Sequence, residues 1–391
     1  MVHWDVVIVG AGPAGASAAY DLAEQGLKVL ILEKKQFPRL KPCAGGLTIK
    51  TLVKLRFPIH HLVHDVAEEL AIGYKTRKQA VLSSSRPICV FTVRKELDHY
   101  CLEQAQAQGA ELRLIKGLAG LETFSDHVRL DLANGESLTC DFLLGADGAH
   151  SQVRKMVGDF IPDRTAVALE GLIPVEKISG ARYEQAKRMT LDFGAQALGY
   201  GWLFPKRDHI NVGLFTYLPE SAKLSRAALS AYARQRLGSD EFSAIHGYPI
   251  ATGGEFYQQR NHRVLLVGDA AGMAEPLLGE GIHNAVATGQ AAAASIIEHG
   301  ENHANVASGY QHLLAKIQGD VHFSRKMAGL FYRCLPVAYS ALKRYPVSHV
   351  LMNGFAAGLT LRECKNAFGQ FTTEFDLPTV PTLEALRRQG A

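Results

Sequence analysis

Apolar residues in this chain come in short runs that stop at glycine. Val6-Val7-Ile8-Val9 leads into Gly10-Ala11-Gly12-Pro13-Ala14-Gly15. A helix-like stretch follows, then Val29-Leu30-Ile31-Leu32, ending at Glu33. The pattern predicts strand, glycine turn, helix, strand and acid, the order of a dinucleotide-binding βαβ unit. In such a unit Gly10 permits the tight turn. Gly12 lets a pyrophosphate approach the backbone, and Gly15 lets the helix pack close to the strand. The helix start at Pro13 and Ala14 offers N–H groups and a positive dipole to phosphate. Glu33 lies 18 residues after Gly15. At that strand tip a carboxylate accepts from ribose hydroxyls, with Lys34 next to it.

The pattern continues in the same style. Lys95 to Gln108 reads as a helix with Leu97, Cys101, Leu102 and Ala105 on one face. Leu112 to Ile115 reads as a parallel strand. Val128 to Leu132 alternates, Asn134-Gly135 signals a type I′ hairpin, and a return strand follows. Phe142 to Gly145 re-enters the parallel sheet. The expected fold class is α/β: a Rossmann-type dinucleotide-binding domain, a discontinuous second domain on a mixed or antiparallel β-sheet, and C-terminal helices. The dinucleotide domain takes residues 1–48, 94–155 and 256–300. The inserts 49–93 and 156–255 join into one antiparallel sheet as a substrate domain, and 301–391 is a mostly helical segment, clearest over 305–345.

Composition narrows the class. The 391 residues exceed one typical domain. Apolar content of 47% and charged content of 20% are ordinary for a globular enzyme. The net charge of +4 is mild, and the basic residues are scattered, which argues against a nucleic-acid face. No window approaches the ~20 uninterrupted apolar residues of a spanning helix. The N-terminus reads as a strand rather than a leader, so a cytoplasmic location is expected. The six cysteines form no CxxC pair and read as buried, reduced thiols; no metal site is expected. His60, His61 and His64 read as surface residues.

Two distant segments carry a resemblance that makes FAD the expected dinucleotide. Leu143-Leu144-Gly145-Ala146-Asp147-Gly148 breaks a strand pattern at Asp-Gly, and Val264-Leu265-Leu266-Val267-Gly268-Asp269 breaks another at Gly-Asp. With the N-terminal unit they resemble the three FAD motifs of the flavoprotein group that includes p-hydroxybenzoate hydroxylase and geranylgeranyl reductase. The resemblance implies that Asp269 bonds a ribityl hydroxyl, that Asp147 and Gly148 turn near the pyrophosphate, and that Arg94 approaches it. Leu118 completes this set of cofactor neighbours. The expected cofactor is non-covalent FAD. Only one GxGxxG is present, so reduced pyridine nucleotide (NADPH or NADH) binds transiently or a protein donates the electrons.

Three further segments resemble the geranylgeranyl reductase family. Lys41-Pro42-Cys43-Ala44-Gly45-Gly46 is similar to the family's Lys-Pro-Cys-Gly-Gly loop, with Ala44 in place of a glycine. The resemblance puts this loop beside the isoalloxazine and makes Cys43 the nearest thiol, as a proton donor or a gap-filling side chain. Tyr200-Gly201-Trp202-Leu203-Phe204-Pro205 is similar to Pro-x-x-Tyr-x-Trp-x-Phe-Pro, with Ala197 replacing the first proline. Alternation puts Tyr200, Trp202 and Phe204 on one strand face, to line a substrate cavity or to pack as a core. Pro276-Leu277-Leu278-Gly279-Glu280-Gly281-Ile282 is similar to a Pro-x-x-Gly-x-Gly loop that opens a helix at the flavin. Cys43, Tyr200 and Trp202 are thus the expected catalytic residues, and the Pro276, Gly279, Gly281 and Ile282 loop the last cofactor contact. The resemblance implies hydride transfer from FAD to an alkene of an apolar, isoprenoid-like substrate. An aromatic monooxygenase, or a flavoprotein with a binding or redox-sensing role, is the alternative. A monomer is expected, with no transmembrane segment and peripheral membrane contact allowed.

Overall fold

The computed structural model describes residues 2–159, 164–220 and 223–368. Residues 369–391, the end of the expected helical segment, lie outside them. The chain divides into two compact units: 1–40, 95–164 and 250–322 form one, and 41–94, 165–249 and 323–391 the other. The division therefore leaves 41–48 with the second unit and gives residues 303–322 of the long C-terminal helix His303–Arg333 to the first.

The first unit is built on one sheet. Its strand order is Glu111–Leu114, Val29–Glu33, His3–Val9, Ser137–Gly145, Val128–Leu132, Leu118–Thr123, with Val264–Leu266 also paired to Ser137–Gly145. The pairs from Glu111–Leu114 to Ser137–Gly145, and that with Val264–Leu266, are parallel. Parallel strands buried on both faces need continuous apolar runs, which Val6–Val9 and Val29–Leu32 supply. The helix Pro13–Glu24 packs on the helix Ile282–His299. The contact is close because Gly289 has no Cβ; one there would lie 2.2 Å from the Ala14 carbonyl. The hairpin after Val128–Leu132 is not type I′. Only Gly135 has positive φ, +86°, and its N–H bonds Leu132 O at 2.9 Å. A type I′ turn needs both central residues left-handed, whereas a longer loop needs only the last, so the glycine alone was decisive.

The second unit carries a seven-stranded sheet in the order Ala244–Thr252, Arg164–Pro174, His209–Thr216, Gly199–Pro205, Met189–Phe193, Glu69–Tyr74, Lys78–Ser83. The two inserts do join in one sheet, but at a parallel pair, Met189–Phe193 with Glu69–Tyr74, so the sheet is mixed rather than antiparallel. A small sheet of Gly46–Thr48, Cys89–Phe91 and Asp65–Ala67 accompanies it. Helices Gly180–Ala186 and Arg226–Leu237 cover one face, where Leu203, Val212 and Leu214 meet Leu229, Tyr232 and Leu237. The helices Leu335–Leu342, Val347–Ala356 and Leu361–Ala367 also belong to this unit. None of the six cysteines is in a disulfide; Cys334 is exposed and Cys43 half-buried, which corrects the expectation of uniformly buried thiols.

Candidate functional site

The glycine turn of the first unit separates two kinds of glycine. Gly10 has φ +107°, and a Cβ there would stand 2.4 Å from Ala146 O. A Cβ on Gly15 would stand 1.9 Å from Gly10 O. Both are demanded by the fold itself. Gly12 is different. Its backbone is extended (φ −76°, ψ −176°), and its nearest neighbour would be Arg39 Nη2 at 3.7 Å. Nothing among the described residues forbids a side chain at Gly12. The space in front of it is therefore left for a ligand, and the residues fit a dinucleotide pyrophosphate. Gly12 caps the helix Pro13–Glu24 with no side-chain hydrogen bond, so its first amides keep their capacity for an anion. Arg39, which sequence reasoning missed, brings a guanidinium to this space. Asp98 holds it at 3.2 Å and is itself fully buried.

Glu33 behaves differently from expectation in one respect. Its carboxylate already accepts from Ala11 N at 2.9 Å, Lys34 N at 2.8 Å and Lys35 N at 2.9 Å. It ties the glycine turn to the strand tip, and one remaining lone pair is left for a ribose hydroxyl. Lys34 reaches Gln152 through its ammonium at 2.5 Å. Asp147 caps the helix Gln152–Val157, accepting from Gln152 N at 2.6 Å and Ser151 Oγ at 2.5 Å. Gly148 is left-handed, φ +82°. Arg154 then joins the two distant motifs, donating to Ala149 O at 2.8 Å and Ala270 O at 2.6 Å. Asp269 is half-buried, with its Oδ1 3.5 Å from where a Gly281 Cβ would lie, so it borders the Gly279–Ile282 loop. That loop is shaped by Glu275, another residue missed from sequence. Its carboxylate accepts from Leu277 N at 2.7 Å and Leu278 N at 2.8 Å. Pro276 is buried, Gly279 is left-handed at φ +73°, and Gly281 opens the helix Ile282–His299 without a side-chain cap. Leu118 lies in the apolar core of this unit, 7% exposed.

The second unit gathers Cys43, Tyr200 and Trp202 with three residues that the sequence reading did not single out. The Lys41–Gly46 loop is fastened at Gly45, where φ is +68° and a Cβ would lie 2.0 Å from Thr92 O. Thr92 N bonds Gly45 O at 2.8 Å. Cys43 N donates to Glu170 Oε1 at 3.2 Å, and Gly45 N to Cys43 Sγ at 3.4 Å. Lys206 Nζ donates to Ala44 O at 2.8 Å, and Lys41 Nζ sits over the Tyr248 ring. Arg94 is buried at the start of its helix.

Behind the loop lies a row of side chains on one sheet face. Register pairs Glu170 with Gly213 and Gly213 with Trp202. A Cβ on Gly213 would be 2.0 Å from the Trp202 ring, so the glycine makes room for the indole. Asn211 bridges the row. Trp202 Nε1 donates to Asn211 Oδ1 at 2.7 Å, and Asn211 Nδ2 donates to Glu170 Oε2 at 3.0 Å. Tyr200 packs beside Trp202, Phe215 and Phe193, with ring centroids 5.1 to 6.2 Å apart. Burial pushes the Glu170 carboxyl pKa up, against the Asn211 hydrogen bond. Burial pushes the Lys206 ammonium down to about 8. The face is thus aromatic, buried and hydrogen-bonded to the cysteine loop. The signal for Glu170 and Asn211 was present in the sequence: each is a lone polar residue inside an apolar strand.

Comparison with known proteins agrees with this geometry. The sequence model of the FAD binding domain matches residues 3–308. An uncharacterized protein of Methanosarcina barkeri is 31% identical over 369 residues, covering 92% of each chain. The geranylgeranyl diphosphate reductase of Rhodobacter capsulatus is 32% identical over 307 residues, 75% of this chain and 74% of its own. A geranylgeranyl bacteriochlorophyll reductase-like protein of Thermoplasma acidophilum shares the fold, with a TM-score of 0.75 at 20% identity over 94% of this chain and 99% of its own. The glycine turn with its open Gly12, the two distant acid motifs and these likenesses converge: the chain is an FAD-dependent oxidoreductase and belongs to the geranylgeranyl reductase family.

Proposed function

We propose that this protein saturates carbon–carbon double bonds of an apolar, isoprenoid-like substrate. When bound, FAD supplies the hydride for that chemistry. The chain's own residues bind and orient the cofactor through Gly12, Arg39 and Glu33, and hold the substrate over the aromatic face of Tyr200 and Trp202. Cys43 supplies the proton to the second carbon of the double bond, and its thiolate recovers a proton from solvent. Tyr200 and Trp202 exclude water, which protects the transfer.

One observation carries this reading: the cysteine loop is bolted by Glu170 to the same row that holds Trp202. A proton-bearing group beside a water-poor aromatic face suits a reaction that must protonate carbon. The named activity of the Rhodobacter capsulatus relative supports the substrate class. The test is product analysis after incubation with reductant and polyprenyl diphosphates, polyprenyl quinones or smaller alkenes. A product that has gained hydrogen and no oxygen supports the reading. An oxygenated aromatic product, with no alkene reduced, refutes it in favour of a monooxygenase.

A further inference from the structure

The helices His303–Arg333 and Leu335–Leu342 carry large apolar side chains that are exposed among the described residues. Cys334 alone separates the helix His303–Arg333 from Leu335–Leu342; its backbone leaves the helical region (φ −107°, ψ 35°), and its carbonyl accepts from Val337 N and Ala338 N at 3.0 Å to start the second helix. The inner side is buried: Phe331, Tyr332, Leu335 and Tyr339 are all core residues. The outer side carries Leu330, Val337 and Tyr345, exposed by 60%, 72% and 78%. Among the described residues only five large apolar side chains are exposed by 60% or more, and these are three of them. Leu330 lies on the first helix, Val337 shares a face of the second with Ala341 by helical spacing, and Tyr345 lies in the turn that follows.

Charge on this stretch is one-sided. Residues 321–362 contain six lysines and arginines and no aspartate or glutamate. Lys326, Arg333, Lys343 and Arg344 are exposed in the same stretch. Lys326, Leu330 and Arg333 share one face of their helix by spacing, as do Val337 and Ala341 of the next, while Lys343 and Arg344 follow its last turn. An isolated exposed leucine needs no explanation, but several large exposed apolar side chains within one acid-free, basic stretch mark an interaction surface.

We propose that this face seats the protein on an anionic lipid surface, with Leu330, Val337 and Tyr345 entering the interface and Lys326, Arg333, Lys343 and Arg344 meeting the headgroups. Apolar side chains at the acyl boundary and basic ones at the headgroups are the arrangement of interfacial helices. A second copy of the chain fits less well, because a two-fold pairing would bring this acid-free patch against itself. No helix among the described residues is long and apolar enough to cross a membrane. The inference stands on this surface alone. Joined to the proposed reaction, it would let a lipid-dissolved chain reach the enzyme without crossing water.

Flotation of the full flavin-loaded chain with vesicles tests it, without any turnover. Vesicles contain phosphatidylcholine alone or about one-third phosphatidylglycerol, enough to give a negative surface potential. The protein floats with the anionic vesicles and not with the neutral ones, and high salt releases it. Leu330→Ser/Val337→Ser/Tyr345→Ser lowers the partition at least tenfold. Lys343→Glu/Arg344→Glu lowers it by a similar factor on anionic vesicles. Both variants keep bound flavin and the wild-type circular dichroism, because the mutated side chains face outward. Failure of the wild type to float, equal flotation on neutral vesicles, or variants that float like wild type overturns the proposal. So does a sedimenting wild-type dimer that the triple variant dissociates, which would assign the face to a second copy. Vesicle binding with no alkene reduction leaves this inference intact and refutes only the proposed reaction.

Discussion

Gly12→Ala separates a glycine kept for the fold from one kept for the cofactor. The Gly12 backbone is extended, a conformation that alanine adopts freely, and the new methyl would meet only the end of Arg39 at 3.7 Å. The cofactor-free variant should therefore fold. Lower entropy of the unfolded chain should leave it unchanged or up to about 1 kcal/mol more stable. With FAD the balance reverses. The methyl occupies the closest approach of the pyrophosphate, and overpacking of that kind costs about 1–3 kcal/mol, or roughly 5- to 150-fold in Kd. Gly12→Val adds more bulk and should abolish binding. Gly15→Ala is the contrast, since its Cβ would lie 1.9 Å from Gly10 O, a backbone atom that cannot turn aside. That variant should be insoluble or unfolded even without cofactor. The assay pairs thermal unfolding of flavin-stripped protein with titration by FAD fluorescence. Gly12→Ala that binds FAD within twofold of wild type, or that melts like Gly15→Ala, would refute the reasoning.

Three other outcomes are expected. Cys43→Ala should slow single-turnover substrate reduction by about 10²–10⁴-fold while flavin content is unchanged, the usual range for a lost general acid; wild-type rates at saturating substrate would reduce the thiol to packing. Asn211→Leu should destabilise the fold by about 1–3 kcal/mol in urea unfolding, because Glu170 loses a donor and the Trp202 indole its acceptor. Lys206 is held down to about 8 by burial, so the unfolded chain binds more protons between that value and the ordinary lysine range, and stability rises with pH across the window. Between about pH 7 and about pH 10 the wild type should gain up to roughly 3 kcal/mol relative to Lys206→Met, measured by urea unfolding; parallel curves would contradict it.

How much the sequence disclosed depended on whether the signal was local. The strand from His3 to Val9, the glycine turn and the strand ending at Glu33 are contiguous, and their pattern needs no knowledge of the rest. The same holds for the helix Arg94–Ala107, foretold within a residue at either end by its apolar face. Asn134-Gly135 gave the hairpin but not its turn type, since asparagine tolerates a left-handed backbone without requiring it. The site in the second unit was half legible. Tyr200 and Trp202 share a face by alternation alone, but their link to Cys43 passes through Asn211 and Glu170, 41 residues apart. Strand register sets that pairing, and no local motif states it. Arg39 escaped notice for a similar reason: its partner Asp98 lies on another element, and a loop arginine carries no spacing of its own. Glu33 was read as a ribose acceptor, and its three backbone donors became visible only once the turn folded around it.

The central claim is that electrons leave this protein into a carbon–carbon double bond. Anaerobic stopped-flow tests it most directly. The enzyme is photoreduced under argon and mixed with a panel of polyprenyl diphosphates, polyprenyl quinones and aromatic compounds, while flavin absorbance is followed and products are analysed by mass. The account predicts that at least one polyprenyl compound restores oxidised flavin without oxygen and emerges saturated at a double bond. Flavin that stays reduced with the whole panel, and reoxidises only when oxygen is admitted and an aromatic compound is hydroxylated, would contradict it.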